Sequence, residues 1–158
     1  MDVNYRKAVS DDIEILIRLR VAYLTEDYSG MSEKEQTNII TQLQDYFPKH
    51  IGAGFIAWLA EVEGAVVASV FLAVQEVPAN TNFITGKTGT ILNVFTYPTY
   101  RRKGIATELL KRIITEAKAF NLSFIELSAT EMGRPLYEKF GFQIEHSHYT
   151  KMKLSLSV

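Results

Sequence analysis

The sequence contains no cysteine. Disulfide staples, thiolate zinc sites and covalent cysteine catalysis are therefore excluded. It also lacks an excess of either charge, with 17 Lys and Arg against 18 Asp and Glu for a net charge of −1. A nucleic-acid binder held by bulk charge would usually be basic, so no nucleic-acid partner is expected; a local basic pocket for a small anion stays open. The first residues, MDVNYRKAV, have no apolar signal-peptide core,. The longest apolar-looking stretch, 52–77, is interrupted by Glu61, Glu63, Gly64 and Glu76, which is too many breaks for a membrane span. A cytoplasmic protein with no membrane partner is the expectation. Of the three histidines, His146 and His148 would share a strand face, but no third ligand follows, so no metal is expected.

What is present is ordinary globular usage: 158 residues, 47% apolar and 22% charged. That length suits a single domain with its own core, 1–158. Val3 to Val9 reads as a strand. Ser10-Asp11-Asp12 offers N-cap side chains to a helix whose Ile13, Leu16, Ile17, Val21 and Leu24 recur at helical spacing,. Residues 32–46 read as a second, more polar helix, and Pro48 to Gly54 as a loop. Phe55 to Val62 and Ala65 to Val77 flank a Glu63-Gly64 turn, a hairpin signature,. Thr90 to Tyr97 is a further strand. Residues 105–119 carry one continuous apolar stripe, from Ile105 and Ala106 through Leu109, Leu110 and Ile113 to Ala117, and predict the clearest helix in the chain,. Ser123 to Ala129 reads as a strand. Pro135 and Gly141 bracket a short helix,. Phe142 to Glu145 and Tyr149 to Leu156 read as a closing antiparallel pair. The predicted order is βααβββαβαββ: an α/β (α+β) class with a mixed, mostly antiparallel sheet flanked by helices.

The most informative stretch is Tyr97-Pro-Thr-Tyr-Arg101-Arg102-Lys103-Gly104-Ile105-Ala106. It places three cations at the N-terminus of the strongest helix, where the macrodipole is already positive and free N–H groups need acceptors. An anion answers both demands, and a phosphate or pyrophosphate is the natural one. Gly104 and Ala106 are small enough for close approach. No Gly-Lys-Ser/Thr follows, and one glycine does not make a dinucleotide fingerprint. A solvated basic loop is the plainer alternative for this spacing alone.

Asn93-Val-Phe-Thr-Tyr-Pro98, Tyr100-Arg-Arg-Lys-Gly-Ile-Ala106 with Leu109-Leu110, and then Leu136-Tyr137-Glu138-Lys139-Phe140-Gly141-Phe142 resemble the two core motifs of the GCN5-related N-acetyltransferase family. The family's Gln/Arg-x-x-Gly-x-Gly/Ala is filled by Arg101, Gly104 and Ala106, and the element order agrees from Val3 to Leu156. The resemblance implies an acyl-CoA N-acyltransferase-like fold and acetyl-CoA as acyl donor. It implies main-chain contacts to the pantetheine arm from Val94, Phe95 and Thr96. Phosphate contacts would come from Arg101, Arg102, Lys103, Gly104, Ile105, Ala106 and Thr107. The sequence departs from the family where an Asn and an Ala commonly precede the tyrosine; Thr130 and Gly133 stand there, and Thr130 is the remaining side-chain hydrogen-bonding position.

The implied reaction is direct attack of a primary amine on the thioester. It needs a deprotonated amine, a donor for the developing oxyanion, and a proton for the leaving thiolate. Tyr137 is the expected acid and the Val94 amide the expected oxyanion donor. Read without the motif, Tyr137 is a core tyrosine of a short helix and the Val94 amide an ordinary ladder donor. Glu76, Asn93 (through a water) and Glu131 are the base candidates, and each also reads as a surface or cap residue. Tyr28 and Glu26, with Asn93 and Glu131, are the acceptor-site candidates; an aromatic-plus-acidic set at the first helix suits a cationic amine. The expected partners are acetyl-CoA and an amine, in a monomer or homodimer. A non-catalytic acyl-CoA-binding or sensing domain is the alternative.

Overall fold

The computed structural model describes residues 1–157. Nine principal elements follow in the order β1 (Asn4–Lys7), α1 (Ile13–Asp27), α2 (Glu33–His50), β2 (Phe55–Val62), β3 (Ala65–Glu76), β4 (Lys87–Thr96), α3 (Ile105–Ala119), β5 (Phe124–Glu126) and α4 (Arg134–Lys139). Short 3-10 turns precede α1 and follow β4. The chain divides into two compact units, Met1–Leu127 and Ser128–Val158.

The first unit holds one five-stranded sheet in the order β1-β2-β3-β4-β5. Its first three pairings are antiparallel and β4 with β5 is parallel, which is the mixed, mostly antiparallel sheet expected. The β2–β3 hairpin turns through Glu63 at φ 50° and Gly64 at φ 80°. Two consecutive left-handed residues match the right-handed twist of the flanking strands. One face of the sheet is covered by Leu16 and Leu19 of α1 and Leu43 and Phe47 of α2, which form a buried cluster with Phe55, Phe71 and Phe95. The apolar stripe of α3 (Ile105, Leu109, Leu110, Ile113, Ala117) is likewise buried, and α3 lies along β2, β3 and β4. Asn121 at φ 57° follows the last turn of that helix, the conformation that ends helices without glycine.

Asp12, one of the three cap candidates, stands at the N-cap of α1, but its side chain makes no cap hydrogen bond there and serves a buried junction. Its carboxylate takes two hydrogen bonds from Arg6, each 2.8 Å, and one from the Val9 N–H at 2.8 Å. Arg6 also reaches Glu61 at 2.7 Å, tying β1 to β2 and to the start of α1. The Arg6 hydrogen bonds hold the Asp12 carboxyl below its usual range; burial opposes them and the Val9 amide assists. A carboxyl lowered by folding adds stability above its unfolded pKa of about 3.9. That stability is lost as pH falls through the lower folded value. Asp12→Ala should lower unfolding free energy at neutral pH by about 1–3 kcal/mol, read by urea denaturation, and flatten the acid limb of stability against pH.

Four expectations about elements need correction. α2 runs through Pro48 to His50 instead of ending at 46. Pro48 lacks an N–H, yet Ile51 still donates to the Phe47 carbonyl at 3.0 Å. Buried Phe47, packed on Phe55 at 5.2 Å between ring centroids, holds the last turn while the proline faces solvent, so packing overrides propensity. β4 starts at Lys87, three residues earlier than its sequence suggests. β5 covers only Phe124–Glu126, and Ala129 is exposed. The expected closing pair, Phe142 to Glu145 with Tyr149 to Leu156, forms no strand among the described residues. Its alternating side chains are open to solvent, with Tyr149 72%, Met152 92%, Leu154 82% and Leu156 89% exposed. Alternation makes a strand only where one face has something to bury against.

The second unit contains α4, with Pro135 in its first turn and Gly141, at φ 93°, just past its end. Those two punctuation residues lie where the sequence placed them.

Candidate functional site

β4 is irregular where the chemistry is expected. Its pairing with β3 shifts between Ser69 and Phe71, so that Asn93 and Val94 together face Val70. Asn93 carries φ 54°. The extra residue is a β-bulge, which bends a strand and resets its alternation. Leu92 and Phe95 accordingly pack into the same cluster although they stand three positions apart, an odd spacing that would put them on opposite faces of a regular strand,. On the other edge β4 pairs with β5 only at Thr88, Gly89 and Thr90. Pairing stops before the bulge, and the outer edge from Ile91 to Thr96 has no strand beside it among the described residues.

The direction of the backbone groups on that edge follows from two bonds. Tyr97 N–H donates to the Val67 carbonyl of β3 at 3.0 Å. The Asn93 carbonyl accepts from Ser69 Oγ, also on β3, at 3.2 Å. Alternation then turns the main-chain groups of Val94 and Thr96 away from β3, toward the open edge. Thr96 shows this directly, because its carbonyl accepts from Arg101 Nε at 2.8 Å on that side.

Beyond β4 the chain turns through Pro98–Tyr100 into Arg102 at φ 63° and Gly104 at φ 80°. Left-handed residues alternating with ordinary ones point successive N–H groups into a concavity suited to anions. Arg101 N–H donates back to Pro98, and Glu108 N–H makes the first helical bond, to the Gly104 carbonyl. Between them, the N–H groups of Arg102, Lys103, Gly104, Ile105, Ala106 and Thr107 donate to no acceptor among the described residues. An ideal Cβ on Gly104 would meet nothing within 4 Å, so its backbone is open to a ligand. A diphosphate fits this run of donors, and a β-strand-like arm fits the neighbouring edge.

The three cations of the turn do not act alike. Arg101 is engaged inside the protein: its guanidinium reaches Glu26 Oε2 at 2.6 Å, holds the Thr96 carbonyl and lies 5.8 Å from the centre of the Phe95 ring. It fastens the C-terminal end of α1 to the end of β4. Arg102 and Lys103 are exposed. Glu26, expected to attract a cationic acceptor, is therefore already neutralised, and Tyr28 stands 70% exposed just past α1.

Two base candidates are moved out of reach. Glu76 pairs with Lys87 at the opposite end of β4, roughly 20 Å from Val94 at about 3.3 Å per residue. Asn93 is 2% exposed, and its Nδ2 is committed to the Leu19 carbonyl and to Ser69 Oγ, each 3.2 Å. It supports the bulge and is too enclosed to meet an acceptor. In the second unit Glu131 is exposed. Thr130 is used locally, its Oγ1 accepting from Gly133 N–H at 3.2 Å and its carbonyl from Arg134 N–H at 3.0 Å. The Tyr137 ring packs edge-on to Phe142, centroids 6.0 Å apart, and a Cβ on Gly133 would come within 3.1 Å of it. Glycine in place of the commoner alanine gives the ring that room.

A feature the motifs did not single out is Arg20 of α1. It is half-buried and has no hydrogen-bond or ion-pair partner among the described residues; the ring of Tyr23 lies 5.8 Å away. The sequence did carry a sign of this, since the positions three and four residues on either side are Leu16, Ile17, Tyr23 and Leu24, none acidic,.

A bulged β4 opening away from a short parallel β5, with a donor-rich turn leading into α3, defines an α/β fold of the acyl-CoA N-acyltransferase type. The model of the acetyltransferase (GNAT) family matches residues 18–142, and the chain belongs to that family. It is similar over 96% of its length to 96% of a predicted acetyltransferase from Clostridium acetobutylicum solved with acetyl-CoA, at 30% identity and a TM-score of 0.81. A GCN5-related N-acetyltransferase from Ralstonia eutropha JMP134 matches at 28% identity and a TM-score of 0.80, over 96% of this chain and 99% of that one. A Trypanosoma brucei acetyltransferase matches at 26% identity and 0.64, over 98% and 100%. No curated protein sequence matches. Among the described residues no cluster of three or more His, Asp or Glu side chains could hold a metal, and no helix is long and apolar enough to cross a membrane.

Proposed function

We propose that residues 1–158 act as one acetyltransferase domain that moves an acetyl group from acetyl-CoA to a primary amine by direct attack. The observation that carries this is the run of unpartnered N–H groups from Arg102 to Thr107 beside an unpaired β4 edge. The outward main-chain groups of Val94 and Thr96 hold the pantetheine arm, those of Phe95 being turned to Ser69 of β3. The N–H groups from Arg102 to Thr107 hold the diphosphate, Arg101 N–H being bonded to Pro98. The amine nitrogen attacks the carbonyl carbon, forming the C–N bond as the C–S bond breaks. The Val94 N–H donates to the carbonyl oxygen as charge builds on it. Tyr137 gives its phenolic proton to the leaving sulfur, and the proton lost by the amine passes to water. The motif Leu136–Phe142 supports the Tyr137 assignment. The second reading, a non-catalytic acyl-CoA sensor, draws support from the removal of Glu76 and Asn93 as bases.

A calorimetric titration with acetyl-CoA, followed by thiol-release assays over a panel of primary amines, tests both. Binding with turnover on at least one amine is the expected result. Binding with no turnover on any amine favours the sensor, and no binding of acetyl-CoA or free CoA removes both readings.

A further inference from the structure

We propose that Arg20 receives a carboxylate of the acceptor, so that the substrate is an amine that also bears an acidic group; this rests on the acetyl-transfer reading above. Arg20 follows Leu19, whose carbonyl is bonded to Asn93 at the β4 bulge, one residue before Val94. Arg20 is thus the helix neighbour of the residue that braces the bulge, its side chain turned about 100° round α1 from that of Leu19,. Six residues beyond Arg20 on the same helix, Glu26 is tied to Arg101 at the other end of the open edge. The C-terminal half of α1 thus runs beside the part of β4 where the acyl group would lie.

The chemistry of Arg20 sets it apart. The other half-buried arginines each face a carboxylate: Arg6 with Asp12 and Glu61, Arg101 with Glu26, and Arg112 with Glu108. Arg20 has the Tyr23 ring and, among the described residues, no ion pair. Burial works against its charged form, while Tyr23, Tyr28 and Asp27 favour that form without reaching hydrogen-bonding distance. A guanidinium does not escape by deprotonating. A desolvated cation without a counter-ion is costly, and the planar fork of arginine is matched by a carboxylate that accepts two N–H groups at once. With Glu26 held by Arg101, the surroundings favour an acidic group on the acceptor over a second cationic one.

The test compares amino acids of increasing length with their own carboxamides as acceptors, in the native protein, Arg20→Gln and Arg20→Lys. At least one carboxylate should be preferred over its carboxamide by about tenfold or more in kcat/KM, the loss expected for one charge-assisted contact. The preference should lie in KM, vanish in Arg20→Gln and return in part in Arg20→Lys, with KM for acetyl-CoA unchanged. Carboxamides as good as carboxylates, a preference that survives Arg20→Gln, or a stronger preference for aminoalkyl phosphates would overturn the assignment. N-acetyl amino acids and N-acetyl carboxamides titrated into the CoA-saturated protein give a readout without turnover. If acetyl-CoA binds and no amine reacts, the transfer reading fails, while Arg20-dependent binding of the N-acetyl carboxylates upholds the site. Equal binding of acid and amide in that titration refutes it.

Discussion

Gly104→Val is expected to weaken acetyl-CoA binding by about tenfold to a hundredfold, corresponding to about 1.4–2.7 kcal/mol. Two effects act together. Gly104 stands at φ 80° and ψ 4° as the N-cap of α3. A left-handed β-branched residue costs about 1–2 kcal/mol, so the turn tends to relax out of that conformation. Relaxation would scatter the N–H groups from Arg102 to Thr107, which share no other acceptor in the described chain. A turn that keeps its shape instead places the valine methyls where the phosphates approach. In the free protein a Cβ there meets nothing within 4 Å, so the strain is confined to the backbone. Fluorescence or calorimetric titration with acetyl-CoA measures the change, and a melting curve shows that the fold persists. Unchanged affinity would mean that the turn does not hold the phosphates.

Tyr137→Phe should lower kcat by about a hundredfold, the scale of a lost general acid, while the KM for acetyl-CoA stays within about twofold, as expected when only a transition-state contact is removed. Phenylalanine preserves the ring, its edge-on contact with Phe142 and its fit over Gly133, so only the hydroxyl is lost. Steady-state kinetics with the preferred amine check this. The leaving group is the CoA thiolate whatever the acceptor, so a full rate in Tyr137→Phe would assign the proton to another donor.

The bulge of β4 shows how legible the site was. Asn93, Val94, Phe95 and Thr96 are marked in the sequence by a strand that runs into Pro98 and a basic turn, whose Gly104 takes the left-handed conformation. Sequence signals of this kind are local: a left-handed glycine, a proline stop and an apolar stripe act within a few residues. The roles of Glu76, Asn93 and Arg101 were not legible in that way. Each depends on a partner far along the chain, Lys87, Leu19 and Glu26 respectively, and residue type alone does not name a distant partner.

The same division runs through the whole molecule. The sequence by itself determined α3 to the residue, the Glu63-Gly64 hairpin, the short helix between Pro135 and Gly141, and a glycine-containing turn leading into α3. Only the tertiary structure decided that Pro48 stays helical, that β5 ends at Glu126, that Arg101 bridges α1 to β4 and that Arg20 has no counter-ion among the described residues. Local conformation follows from sterics and hydrogen bonds between near neighbours, whereas burial and charge pairing are set by which distant surfaces the packed sheet brings together.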